Sequence, residues 1–89
     1  MLVNRHQVAL FWLPDNRPAV YAIAQRDPVA GSNVLSRGML GEVRGEPVVV
    51  SPIGGRRFRL RDGRCPDIVG LRVPVYPSRV SDGRVWLSL

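Results

Sequence analysis

The sequence contains no lysine, a single cysteine, Cys65, and a single histidine, His6. One cysteine excludes an intramolecular disulfide, and with it a small secreted scaffold stapled by bridges; such usage leans toward a reducing compartment. One cysteine and one histidine also cannot supply four zinc ligands, or the thiolates and imidazoles of an iron–sulfur centre, from this chain alone. Long apolar runs are missing too. A run such as Val8 to Leu13 falls far short of the roughly 18 residues of a membrane-spanning helix. A secretory leader is imitated by Arg5, the run to Leu13 and Ala22-Ile23-Ala24, but Pro14-Asp15-Asn16-Arg17 interrupts it. These absences lead to the expectation of a cytoplasmic protein with no membrane partner.

What is present is 89 residues, enough for one domain, expected over 1–89. A chain this short removes only about 60 to 65% of its unfolded surface from water, so its stability is expected to be marginal without a partner. Thirteen basic residues, all arginine, stand against seven acidic ones, for a net charge of +6. The arginine bias reads first as compositional background and second as a preference for forked donors that match carboxylates. The charge keeps nucleic acid in consideration.

Nine glycines and eight prolines are spread along the chain and cut it into short pieces rich in β-formers, the punctuation of an all-β fold. Gln7 to Leu13 reads as a strand, Pro14 to Pro18 as a turn and Ala19 to Ala24 as the antiparallel return. A long loop runs from Gln25 to Asn33 and on through Val34-Leu35. Met39 to Val43 and Val48 to Ser51 then flank Arg44-Gly45-Glu46-Pro47 as a hairpin, and Pro52-Ile53-Gly54-Gly55 forms a second loop. Arg56 to Arg61 alternates, with Phe58 and Leu60 on one face and Arg57, Arg59 and Arg61 on the other. Val73 to Val80 and Val85 to Leu89 form a last hairpin closed by Asp82-Gly83, with Pro74 and Pro77 pushing its first strand to a sheet edge. The pieces predict a small antiparallel β-sandwich or barrel with two long loops.

No catalytic constellation is visible. The serines lack a G-x-S-x-G setting, and Gly54-Gly55 has neither the lysine nor the following helix of a phosphate loop. His6 reads as a surface histidine, Cys65 as a small half-buried thiol, and Asp27 and Asp62 as turn formers. The stripe Arg57, Arg59, Arg61 reads as the solvated face of an edge strand, with docking on an acidic protein surface as its functional reading. A small basic barrel for RNA or single-stranded DNA is the alternative. Against it, such sheets interleave basic residues with exposed aromatics, and Phe58 lies on the opposite face.

The two loops carry a resemblance. The stretch Tyr21 to Gly38, with Arg26-Asp27-Pro28-Val29 and Asn33-Val34-Leu35-Ser36-Arg37-Gly38, resembles the first cluster loop of Rieske domains, with Asp27-Pro28-Val29 where Cys-Pro-His would stand. Val50 to Cys65, with Ser51-Pro52-Ile53-Gly54 and Phe58-Arg59-Leu60, resembles the second, whose pattern is C-P-x-H. Both prolines are kept, whereas Asp27, Val29, Ser51 and Gly54 replace the four ligands. With Val73-Pro74-Val75-Tyr76-Pro77-Ser78-Arg79-Val80, the combination is similar to the small-subunit family of cytoplasmic NAD(P)H-dependent nitrite reductases. The resemblance implies a Rieske-like antiparallel fold, no cofactor in this chain and no catalytic residues of its own. It also implies a large-subunit partner carrying flavin, an iron–sulfur centre and sirohaem, which reduces nitrite to ammonium. The Arg57, Arg59 and Arg61 strand and the two loops are then the expected partner surface. Members of that family usually begin with a further upstream strand, so the expectation is either a missing N-terminal edge strand or a misassigned start, and Ile53-Gly54-Gly55 is expected to leave the second loop more mobile.

Overall fold

A computed structural model describes residues 2–3, 5–16 and 19–88. Two antiparallel sheets form the body. The first runs β1-β2-β3-β9, with β1 Leu2–Val3, β2 His6–Trp12, β3 Val20–Ala24 and β9 Val75–Tyr76. The second runs β6-β7-β8, with β6 Met39–Val43, β7 Glu46–Val50 and β8 Arg57–Arg59. Two ribbons complete the architecture: β4 Arg26–Asp27 with β5 Ser32–Asn33, and β10 Ser78–Ser81 with β11 Arg84–Leu87. A 3-10 turn at Leu35–Arg37 is the helical element among the described residues, so the all-β expectation holds.

The period-2 pattern decides which side chains meet. Ala9 and Phe11 of β2 stand opposite Ile23 and Tyr21 of β3. All four join Val49 and Phe58 from the second sheet, and Leu35, Leu60, Cys65 and Val73 from the connections, in one core. Phe58, Ile23 and Leu35 are fully buried, each contributing about 1.5 to 3 kcal/mol relative to exposure. Phe58 and Leu60 thus face inward as the alternation predicts, and Arg57, Arg59 and Arg61 turn away. Cys65 is buried more deeply than expected.

Several boundaries differ from the sequence reading, each for a local reason. The strand expected from Gln7 begins at His6, where β1 pairs with it in the register Leu2↔Gln7 and Val3↔His6; two residues are too few to show alternation. The turn expected over 14–18 is closed by Leu13 N–H on Ala19 O at 2.7 Å, and its Arg17 and Pro18 lie outside the described residues, as does Leu89.

The four-residue connection expected at 44–47 is a two-residue turn. Arg44 and Gly45 both take positive φ, 52° and 81°, and Val43 faces Glu46; this is the type I′ hairpin that matches strand twist. Pro47 therefore lies inside β7, opposite Glu42. That position follows the hydrogen-bonded closing pair, so its missing N–H removes no bond to β6.

The single strand expected over 73–80 divides at Pro77. Val75 and Tyr76 pair with β3 as an edge, then Ser78 to Ser81 leave to form their own hairpin around Asp82-Gly83, the turn the sequence indicates. Proline's lack of a donor makes the switch cheap at that residue. Ser78 Oγ donates to Val20 O at 3.3 Å, seating the hairpin on β3. The Arg56–Arg61 strand is likewise cut to three residues, because a tight turn brings Gly63 N–H to Arg59 O at 2.8 Å.

Candidate functional site

The first loop is built on Gln25, the buried residue that follows β3. Its carbonyl accepts from Val34 N–H at 3.1 Å and Leu35 N–H at 3.0 Å. Its side-chain amide donates to Ser36 Oγ at 2.7 Å and accepts from Ser36 N–H at 2.5 Å. One glutamine thus closes the neck of the loop, and the β4–β5 ribbon projects beyond it. At the start of that ribbon's turn, Asp27 forms an Asx turn: Oδ1 accepts from Val29 N–H at 2.8 Å and from Ala30 N–H at 3.1 Å. The second loop leaves β7 at Ser51, whose N–H donates to Arg56 O at 2.8 Å and so pinches the loop shut.

The two loops meet through one buried bond. Ser51 Oγ donates to the second carboxylate oxygen of Asp27 at 2.5 Å, and in turn accepts from Ile53 N–H at 3.2 Å. Asp27 is 0% exposed and Ser51 3%, so the pair sits out of water beneath the loop tips. A buried carboxylate is costly unless its lone pairs are filled; here three donors fill them. Burial acts to raise the Asp27 pKa, but the bonds from Ser51, Ala30 and Val29, with the Arg56 charge nearby, outweigh it, and the carboxyl titrates below its ordinary value.

Of the four positions singled out in the loops, the structure brings Asp27 and Ser51 into direct contact. Val29 joins them through its backbone only, and its side chain is 47% exposed. Gly54 lies in the second loop with φ +80°, and a Cβ there would come within 2.9 Å of Arg56 Nη1. Val29 in the first loop and Ile53 in the second are both exposed, as are Pro28 and Pro52 beside them. Sequence reasoning identified Asp27 as a turn former and missed both its bond to Ser51, 24 positions away, and the Gln25–Ser36 clasp. Neither has a local sequence signal, because the partners stand 24 and 11 positions apart and are brought together only by the fold.

The arginine stripe does not present three free charges. Arg57 pairs with Asp67 through two bonds, one of them Nε to Oδ2 at 3.0 Å, and each group holds the other charged: the Asp67 pKa is lowered and that of Arg57 raised. Arg59 forks onto Asp62 at 3.1 and 2.6 Å. Arg61 reaches Glu46 at 3.1 Å. With Phe58 buried beneath them, this strand offers neither open phosphate contacts nor a stacking face, so nothing here supports a nucleic-acid groove. His6 is a surface residue, its ring edge-on to Tyr76 at 5.9 Å. No helix is long and apolar enough to cross a membrane among the described residues.

Comparison with known proteins matches this geometry. Residues 1–88 match the family of Rieske-like [2Fe-2S] domains. The NADH nitrite reductase small subunit of Escherichia coli is 44% identical over 86 residues, covering 97% of this chain and 79% of that one. The chain belongs to the nitrite reductase small-subunit family. An NMR structure of the E. coli protein NirD superposes with a TM-score of 0.82 at 43% identity, covering 98% of this chain and 78% of that one. A Klebsiella oxytoca protein named the NAD(P)H nitrite reductase large subunit also contains a matching stretch, 44% identical over 86 residues; it covers 97% of this chain and only 9% of that protein.

The wider Rieske-like family is described by its [2Fe–2S] group, and the residues here do not fit one. A Rieske centre takes two thiolates and two imidazoles, whereas this chain has one cysteine and one histidine. Cys65 lies in the core and His6 is exposed against Tyr76. At the loops, Val29 and Gly54 offer no side-chain donor. No cluster of three or more His, Cys, Asp or Glu side chains suited to a metal occurs among the described residues.

Proposed function

We propose that this chain is the accessory, noncatalytic small subunit of a cytoplasmic NAD(P)H-dependent nitrite reductase, with no cluster of its own. The observation that carries the reading is the buried Asp27–Ser51 bond. In a Rieske domain a metal cluster ties the two loops together; here a carboxylate–hydroxyl bond does so, at the positions where first-loop and second-loop ligands would stand. The scaffold that presents the loop tips is retained while the redox chemistry is not, which is the signature of a domain kept for its surface. The partner is a large catalytic subunit, in which flavin, an iron–sulfur centre and sirohaem reduce nitrite to ammonium. A matching stretch within a chain named large subunit supports that pairing, because a domain carried in the same polypeptide meets its partner at high effective concentration.

Arg57, Arg59 and Arg61, next to one another on β8 and the following turn, belong to the same proposed surface, acting as a neutralised polar wall more than as a field. Purification from the native host under mild conditions is expected to bring down a large protein with sirohaem absorption. The isolated chain is expected to carry less than stoichiometric iron and no visible bands of a [2Fe–2S] centre. Stoichiometric iron with those bands would overturn the noncatalytic reading; nucleic acid in the eluate, with no large subunit, would overturn the assignment of the partner.

A further inference from the structure

Away from the loop tips, a groove of about 680 Å3 lies between the β6–β7 turn, β8 and the segment 64–72. Five arginines and two acids line it. Arg57 and Arg59 are occupied by Asp67 and Asp62, and Glu46 is held by Arg61. That leaves Arg44, Arg64 and Arg72, all exposed and without a carboxylate partner among the described residues. Arg64 and Arg72 face each other across an antiparallel bridge, which puts their side chains on one face about 5 Å apart at Cβ. Like charges so placed repel, and no carboxylate among the described residues pairs with either. Beside them Ile68 is 42% exposed and Val69 fully so.

We propose that this groove receives an acidic segment of the large subunit that carries an apolar side chain between its carboxylates. Carboxylates inserted between Arg64 and Arg72 turn a repulsion into two pairs, with the bidentate geometry arginine favours. The apolar rim distinguishes a protein segment from a small anion. An anion on the guanidiniums leaves Ile68 and Val69 in water, whereas a segment crossing the groove covers both. The inference rests on the small-subunit reading above and deepens it by naming the partner's chemistry.

The opposed arginines provide a test in which folding and binding move apart. Arg72→Glu places a carboxylate opposite Arg64, so the variant is expected to unfold at the same or a higher temperature than wild type. It is also expected to bind the purified cognate large subunit about tenfold more weakly. Val69→Asp, a change at a fully exposed residue, is expected to leave unfolding unchanged and to weaken binding similarly, and wild-type affinity should fall as salt rises. Wild-type binding with both variants unaffected would overturn the groove while leaving the small-subunit reading intact. A wild-type chain that does not bind the large subunit would remove that reading and the groove's occupant with it. Loss of binding in Arg72→Glu but not in Val69→Asp would mean a bare anion site and overturn the proposal. Self-association of the chain that Val69→Asp abolishes would do the same, because the occupant would then be a second copy.

Discussion

At the scale of single residues, the buried pair Asp27 and Ser51 governs the loops. A hydrogen bond to a charged group contributes about 1.5 to 3 kcal/mol, and Asp27 also satisfies the N–H groups of Val29 and Ala30. Ser51→Ala is therefore expected to destabilise the fold by about 2 kcal/mol, and Asp27→Ala by more, because it strands two backbone donors as well as the hydroxyl. Asp27→Asn keeps the shape and should fall between wild type and Asp27→Ala. The sign of the pH effect follows from the lowered carboxyl pKa. A group held below its unfolded value, about 3.9, contributes fully above that value and loses its contribution as pH falls through the folded pKa. Urea unfolding at pH 7 and pH 3 checks this: the advantage of wild type over Asp27→Asn should shrink in acid, and an equal gap at both would show that the carboxylate charge is not what holds the loops.

At the scale of elements, short turns decide where strands end. Gly63 follows the Arg59–Asp62 turn with φ +76°, and a Cβ there would come within 2.0 Å of Val73 O. Neither conformation nor space admits a side chain, so Gly63→Ala is expected to cost at least about 2 kcal/mol, read as a drop in the denaturation midpoint. At the β6–β7 turn the opposite holds. Arg44 adopts φ 52°, a conformation that asparagine tolerates better than arginine. Arg44→Asn is expected to stabilise the hairpin by about 0.5 kcal/mol, while removing one of the unpaired charges from the groove. A melting temperature below wild type would show that the Arg44 side chain makes a contact worth more than the backbone strain.

At the scale of the whole molecule, a charge of +6 is distributed so that the acids near β8 are consumed by its own arginines, and Arg44, Arg64 and Arg72 in the adjoining groove are left without a carboxylate among the described residues. Arg59 and Asp62 are each only about a quarter exposed on their side chains (26% and 27%) and forked together, and Asp62 also accepts from Arg64 N–H at 3.0 Å. Arg59→Gln is expected to cost about 1 kcal/mol, whereas the more exposed Arg57→Gln and Arg61→Gln should change thermal unfolding little. Replacing all three by glutamine leaves Arg44, Arg64 and Arg72 in place, so large-subunit association should slow less than it does for Arg72→Glu. The reverse order would return the weight of recognition to the stripe.

Strand periodicity, proline and glycine punctuation and the Asp82-Gly83 turn were readable directly, because each acts through near neighbours; the inward Phe58 and Leu60 and the outward arginines followed from alternation alone. The loop motifs were readable too, and the inventory of one cysteine and one histidine ruled out a Rieske ligand set by count. Tertiary structure decided what count and period cannot express. It joined Asp27 to Ser51 across 24 positions, gave Arg57 to Asp67 and Arg61 to Glu46, and set Arg64 against Arg72 with no carboxylate partner for either among the described residues. Which charges cancel and which remain depends on distances between residues remote in sequence, and an unpaired charge is a property of the fold.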